Sequence, residues 1–217
     1  MTQNRPQASE YAPYYEKYVA LVPDGEIAET LEAQLREMKL LPGNLSEKVA
    51  EFRYAAGKWS IKEVLGHISD TERILAYRLL RIARGDQTPL AGFEQDGYVT
   101  TGNFSARPLA ELLEEFAAAR RATIALVRSL DEAAWLQRGM ANQKEISVRA
   151  QAFVIGGTSV IIAWCCRSGT FQCCRGPNYP SHRPRQMRVL LQRVSSFPTR
   201  RDGISICPEG QLTGLDA

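Results

Sequence analysis

Four segments of this chain place apolar residues three and four positions apart, which restricts each of them to an amphipathic helix. The second segment has the clearest boundaries. Ser60 and Glu63 form a capping-box pattern at its start, and Gly85 stands where a helix commonly ends. The pattern therefore predicts a helix two of about 24 residues. Its apolar positions are Ile61, Val64, Leu65, Ile68, Ile74, Leu75 and Leu79.

The connections between the four segments favour a bundle. Helix one covers residues 27–38, helix three covers residues 108–130, and helix four begins at Val148 behind Ser147. Residues 86–107 are rich in turn-forming residues and predict one long crossover loop between helices two and three. No segment shows the alternation of a β-strand. We therefore expect an all-α four-helix bundle over residues 11–170, without a sheet.

The last part of the chain has a different composition. Residues 171–217 contain repeated prolines, and their apolar residues have no period. Arginines occur from Arg167 to Arg201 without an acidic residue between them. Such a segment buries too little apolar surface to order itself, so it predicts a disordered or loosely packed tail. These arginines lack interleaved aromatic residues, so we expect no specific nucleic-acid partner.

Several features predict a cytoplasmic protein without a membrane segment. The N-terminus has no apolar run after its first basic residue, as a signal peptide would. The most apolar stretch, residues 152–166, is shorter than the ~20 residues that a spanning helix needs. All five cysteines lie in the last quarter of the chain, which does not match a disulfide framework.

His67 is the candidate residue for chemistry on helix two. On spacing alone, a partly buried helix histidine bonded to a neighbour is the more common situation, because one imidazole does not make a metal site. Glu63 and Asp70 lie nearby on the same helix and are candidates to orient the imidazole through a second hydrogen bond.

A resemblance to a known family strengthens the metal interpretation. Residues 57–73 read Gly-Lys-Trp-Ser-Ile-Lys-Glu-Val-Leu-Gly-His-Ile-Ser-Asp-Thr-Glu-Arg, and residues 84–90 read Arg-Gly-Asp-Gln-Thr-Pro-Leu. Together they resemble the helix-two signature and crossover loop of the DinB-like superfamily, and the resemblance covers roughly residues 11–157. It implies a four-helix bundle with a divalent metal, zinc or nickel, and His67 as one ligand. It also implies a metal-dependent hydrolase or thiol transferase acting on a small molecule or thiol, and a possible homodimer.

The sequence departs from the family pattern on helix four. The family supplies its other two ligands from a G-H-E-x-H-H run, and Thr158 and Ile162 stand at the positions of those two histidines. A threonine hydroxyl is a poor neutral ligand, and isoleucine has no donor atom. The resemblance therefore implies a metal site that has lost two of its three ligands.

The genetic code offers a cause for this departure. Residues 158–170 read Thr-Ser-Val-Ile-Ile-Ala-Trp-Cys-Cys-Arg-Ser-Gly-Thr. Codons exist for this run that, with one C added in front and regrouped, translate as His-Glu-Arg-His-His-Arg-Leu-Val-Leu-Pro-Lys-Arg-Tyr. The regrouped reading restores the family motif. Our hypothesis is that one nucleotide was lost near the Gly157 codon and that the chain from Thr158 onward is out-of-frame translation.

Two classes of function stay open at this point. One is a metal-dependent hydrolase or thiol transferase of this family, impaired in metal binding. The other is a metal-free helical bundle that acts as an interaction protein or is a decayed copy. Bound metal separates the two classes.

Overall fold

The computed structural model describes residues 5–40, 45–53 and 56–168, with side chains in the last helix described as far as Val160. The predicted tail, residues 171–217, lies outside the described residues. In chain order the helices are α1 (Glu16–Val19), α2 (Ile27–Lys39), α3 (Glu47–Ala50), α4 (Ile61–Ala83), α5 (Gln95–Gly102), α6 (Leu109–Arg128), α7 (Glu132–Leu136) and α8 (Val148–Ser168). Short 3-10 helices cover Ala8–Glu10, Pro13–Tyr15 and Phe104–Ala106.

The four predicted helices are α2, α4, α6 and α8, so the four-helix bundle is confirmed. Helix α4 begins and ends as its sequence predicts. The hydroxyl of Ser60 accepts from the backbone N–H of Glu63 at 3.2 Å, and the Glu63 carboxylate accepts from the Ser60 N–H at 2.7 Å. Beyond the last turn, Gly85 has a φ of 77° and its N–H donates to the carbonyl of Ile82 at 2.9 Å. Among the described helices, none is long and apolar enough to cross a membrane.

The expectation that the chain has no sheet is wrong. Strands β1 (Arg138–Ala141) and β2 (Lys144–Ser147) pair antiparallel as a hairpin between α7 and α8. Asn142 and Gln143 form its two-residue turn with φ values of 53° and 58°. This is the positive-φ geometry that two-residue hairpin turns require, and it is commonly signalled by Asn-Gly. Here Gln replaces the glycine, and the strands are only four residues long, so the usual signal is missing.

The hairpin holds two other parts of the chain. Leu90 in the crossover donates its N–H to the carbonyl of Met140 and accepts from the N–H of Asn142, both at 2.9 Å. On the other strand, Tyr11 bridges to Ile146 in the antiparallel sense. The hairpin therefore fixes the N-terminal arm and the start of the crossover to one end of the bundle.

The long connection between α4 and α6 is confirmed, but it is not only a loop. It contains α5, which Glu94 caps by accepting from the N–H groups of Asp96 and Gly97 at 2.9 and 2.6 Å. Glycines and threonines give α5 a weak intrinsic preference for helix. Burial of Val99 and Phe104 with the apolar residues of α4 and α6 accounts for the order of this segment.

Buried charges join the four long helices. Arg120 on α6 is fully buried, and its guanidinium donates to Glu72 on α4 at 2.8 Å and to Gln34 on α2 at 2.7 Å. The same guanidinium donates to the hydroxyl of Ser159 on α8. Gln34 in turn donates to the carbonyl of Gly156 at 2.9 Å. One buried network therefore sets the relative positions of all four helices.

Adjacent glycines let α8 approach the N-terminal part of the chain. A Cβ at Gly157 would overlap the backbone carbonyl of Tyr18, whereas one at Gly156 would lie 3.1 Å from Ile27 Cδ1 and 3.2 Å from Val22 Cγ2. Backbone cannot move as easily as the end of a side chain. The close approach of α1 to α8 therefore requires glycine at position 157.

We predict that Gly157→Ala destabilises the protein by about 2 kcal/mol more than Gly156→Ala, because only the first forces a backbone shift. Both changes bring the same intrinsic gain in helix preference, so the neighbouring glycine is a matched control. Urea unfolding followed by circular dichroism measures the difference. Equal unfolding midpoints for the two variants would contradict this packing.

We also predict that Arg120→Met or Glu72→Leu alone lowers the free energy of unfolding by ~3–5 kcal/mol, since each leaves a buried charge unpaired. The double variant should lose less than the sum, because it leaves neither charge behind. Arg128→Met on the same helix is the control. Its guanidinium pairs with Glu32 at 2.8 Å but is 56% exposed, so its loss should cost ~0–1 kcal/mol. Additive single effects would argue against a coupled pair.

Candidate metal site

His67 lies in the first half of α4 and is 6% exposed. Its ring packs against the indole of Trp59, with ring centres 4.9 Å apart. Its Nδ1 lies 3.5 Å from the hydroxyl of Thr71, one turn further along the helix. Phe104 covers the neighbouring Gly66 so closely that a Cβ there would overlap its ring. The imidazole is therefore buried, with the Trp59 ring against it and the Thr71 hydroxyl nearby.

Burial lowers the pKa of His67 from 6.5 to about 4, because the apolar surroundings disfavour the charged imidazolium. At neutral pH the side chain is an uncharged imidazole. This is the form that binds metal ions, and a nitrogen lone pair is available to a ligand or to a hydrogen-bond donor.

Glu63 and Asp70, the two candidate orienting residues, have other partners. The Glu63 carboxylate accepts from Arg53 at 2.5 Å as well as from the Ser60 N–H, and the Asp70 carboxylate accepts from Arg73 at 3.4 Å. Among the residues that the structure describes, neither carboxylate bonds to His67. The position of Glu63 at the start of the helix explains its contacts, because a capping box turns this side chain back towards the N-terminus. Their role around a metal-bound imidazole stays a prediction.

Thr158 is buried on α8, with 5% of its surface exposed. Its hydroxyl donates to the carbonyl of Val154 at 2.9 Å, one turn earlier on the same helix. The amide of Gln151 donates to the carbonyl of Leu75 at 3.4 Å. The guanidinium of Arg120 donates both to Ser159 on α8 and to Glu72 on α4. Later residues of α8 thus lie beside earlier residues of α4, and the two helices run antiparallel.

Position 162 lies one turn beyond Thr158 on the same helix. The backbone of Ile162 belongs to α8, but its side chain is outside the described set.

The donor atoms present do not fit a metal centre. His67 supplies one imidazole, the hydroxyl of Thr158 is already bonded to a carbonyl, and the side chain of Ile162 has no donor atom. Within the described residues there is no group of three or more His, Cys, Asp or Glu side chains that could hold a metal ion. Zinc sites use three or four such ligands. A metal-dependent reaction step cannot be built on these residues.

Two buried charged residues of the bundle core were not identified from the sequence. Arg120 is the larger of them, and its Nε is buried without a hydrogen-bond partner in the described part of the chain. One carboxylate oxygen of Glu72 is likewise buried without a hydrogen-bond partner in the described residues. Charged residues on amphipathic helices are usually exposed, so helical spacing alone gave no signal for them.

Comparison with known proteins identifies the family. The family model of the DinB superfamily matches residues 30–157, more than half of the chain. The chain belongs to the DinB superfamily. A solved structure agrees on the fold. YfiT from Bacillus subtilis superimposes on this chain with a TM-score of 0.60 at 14% identity. YfiT is described as a probable metal-dependent hydrolase with an unusual four-helix bundle topology. The superposition covers 76% of this chain and 93% of YfiT.

A mycothiol-dependent maleylpyruvate isomerase also matches this DinB-superfamily chain, with a TM-score of 0.49 and 14% identity over 70% of this chain and 60% of the isomerase. No curated protein matches the chain in sequence. At 14% identity the likeness to YfiT concerns the fold alone. The resemblance seen in residues 57–73 and 84–90 is nevertheless confirmed at the level of the superfamily.

The depressed pKa of His67 predicts a pH-dependent stability. The unfolded chain takes up a proton on this residue below pH 6.5, whereas the folded chain does so only near pH 4, so protonation favours unfolding between these values. The free energy of unfolding should therefore fall by about 3 kcal/mol over this interval, relative to His67→Phe. Chemical unfolding at a series of pH values measures both proteins. Identical pH profiles would show that His67 is not buried as an uncharged imidazole.

Proposed function

We propose that this DinB-superfamily chain retains the bundle of a metal-dependent hydrolase or thiol transferase and is itself impaired in metal binding. The cause in this proposal is a frameshift near Gly157. The intact site would take zinc or nickel, and its substrate would be a small molecule or a thiol.

The observation that carries the proposal is the contrast between His67 and Thr158. His67 is buried, uncharged at neutral pH and able to act as a ligand. Thr158 occupies the position of a family ligand, and its hydroxyl is turned back to the carbonyl of Val154. One candidate ligand is thus buried and uncharged, whereas the side chain at the second family position has its hydroxyl bonded within its own helix.

The extent of the family match supports a frameshift. The match ends at Gly157, the residue before the first replaced ligand. Substitution of single ligands over evolutionary time would leave the rest of helix four similar to the family. A change of reading frame removes similarity at one point and for the whole remaining chain.

Arg120 adds separate support. Its guanidinium is fully buried, and one of its nitrogens has no partner in the described residues. It contacts position 159, where the present chain has Ser159. The regrouped reading puts glutamate at this position, and a carboxylate is a stronger partner for a buried guanidinium than a hydroxyl.

The test compares four proteins by calorimetric titration with zinc and nickel: the present chain, the chain restored to the regrouped reading from position 158, and the His67→Ala variant of each. The present chain should bind no better than its own His67→Ala variant, because one imidazole gives little affinity. The restored chain should gain a site, since residues four apart on α8 share a face and project towards His67. That site should disappear with His67→Ala.

Melting temperatures provide a second measurement on the same proteins. Metal bound only to the folded restored chain should stabilise it by ~2.7 kcal/mol when free metal is a hundredfold above its dissociation constant. A submicromolar site in the present chain that needs His67 would refute the impairment. A restored chain without any metal-dependent shift would refute the frameshift hypothesis and the proposed function together.

A further inference from the structure

A cavity of about 310 Å³ lies between the second half of α4 and the start of the crossover. One wall is formed by residues of α4, and the other by residues 88–92 and two aromatic residues of the crossover. The side chains that line it include Tyr77, Arg78, Arg81, Phe93 and Tyr98. Arg78 is eleven residues beyond His67, or ~16 Å along the helix axis, so this cavity is separate from the candidate metal site.

Arg78 is the unusual residue of the cavity. It is only 4% exposed, and its Nη2 donates to the carbonyl of Ala91 at 2.6 Å. Its guanidinium carbon lies 6.0 Å from the centre of the Phe93 ring. In the described part of the chain no carboxylate lies within ion-pair distance of it. A buried guanidinium without an anion is costly, and proteins normally pair such a charge.

The neighbouring arginine shows the contrast. Arg81 also faces the cavity, but it forms an ion pair with Asp86 and a hydrogen bond with the hydroxyl of Tyr77. Its charge is therefore compensated within the protein. Arg78 is left as the positive charge in the cavity that a bound anion would neutralise.

The rest of the cavity lining is mainly apolar and aromatic. Phe93 is buried and meets the ring of Tyr98 edge-on, with centres 5.4 Å apart. Tyr77 and Tyr98 are 52% and 46% exposed, so their rings border the open side of the cavity. A ligand that combines one negative charge with a flat apolar body would match both parts of this surface.

The cavity is formed before any ligand arrives. Both backbone hydrogen bonds of Leu90 go to the hairpin, and Ala91, the acceptor for Arg78, follows directly in the chain. Little ordering of the loop is needed on binding, which favours affinity for a small molecule.

We propose that this cavity binds a small aromatic carboxylate. The carboxylate pairs with the guanidinium of Arg78, whose planar fork can donate two parallel hydrogen bonds to it. The aromatic body packs against Tyr77, Phe93 and Tyr98. The cavity volume is at the lower end of ligand pockets, so it suits a ligand with a single ring. The inference is independent of the metal site and of the reading frame after Gly157.

The test uses the full chain and two probes, phenylacetate and its neutral counterpart phenylacetamide, in titrations followed by NMR chemical shifts. Phenylacetate should bind at least about tenfold more tightly than the amide, which corresponds to ~1.4 kcal/mol for the charge. Arg78→Gln should remove this preference and leave amide binding unchanged. Arg121→Gln, which alters a 51% exposed arginine on α6 outside the cavity, is the matched control and should change neither affinity.

A second variant keeps the test valid if Arg78→Gln does not fold. Tyr98→Ala changes a half-exposed residue and should weaken both probes by a similar factor without unfolding the bundle. Equal affinity for acid and amide in the unaltered chain, or no binding of phenylacetate at its highest soluble concentration, would overturn the proposal. Binding that neither Arg78→Gln nor Tyr98→Ala affects would place the ligand elsewhere and overturn it as well.

Discussion

The ion pair between Arg120 and Glu72 joins the four long helices at one level of the core. The guanidinium of Arg120 also donates to Gln34 and Ser159, so α2, α4, α6 and α8 each contribute one side chain to the network. A charge without water or partner is far more costly than a misplaced apolar group, so this network tolerates little sliding of the helices. The register of α8 against α4, and with it the position of Thr158 relative to His67, follows from this constraint.

The fold and the candidate metal site are therefore separable. The bundle is held by apolar packing and by the Arg120 network, and neither uses a metal ligand. Thr158 satisfies its hydroxyl within α8 and stays buried, so the packing at this position does not depend on a metal ligand. Membership of the superfamily consequently describes the scaffold, whereas activity has to be argued from the donor atoms.

Helix α4 carries two distinct chemical environments along its length. Its first half holds His67 against the ring of Trp59, where burial keeps the imidazole uncharged. Its second half holds Arg78, which keeps its charge next to a preformed cavity and a backbone carbonyl. The two ends differ in the polar groups nearby: the imidazole of His67 lies 3.5 Å from the hydroxyl of Thr71, whereas the guanidinium of Arg78 donates to a backbone carbonyl of the crossover segment, next to the residue that the hairpin holds.

The sequence by itself determined the four long helices and the family. The capping box at Ser60 and the glycine at position 85 act within one or two turns, so their local chemistry was enough to define α4. The hairpin, the order of α5 and the burial of Arg78 and Arg120 were decided only by the tertiary structure. The hairpin turn lacks the usual glycine, α5 depends on packing against α4, and a buried arginine looks like an exposed one in a sequence. These features depend on contacts between residues far apart in the chain, and such contacts leave no period or local motif to detect.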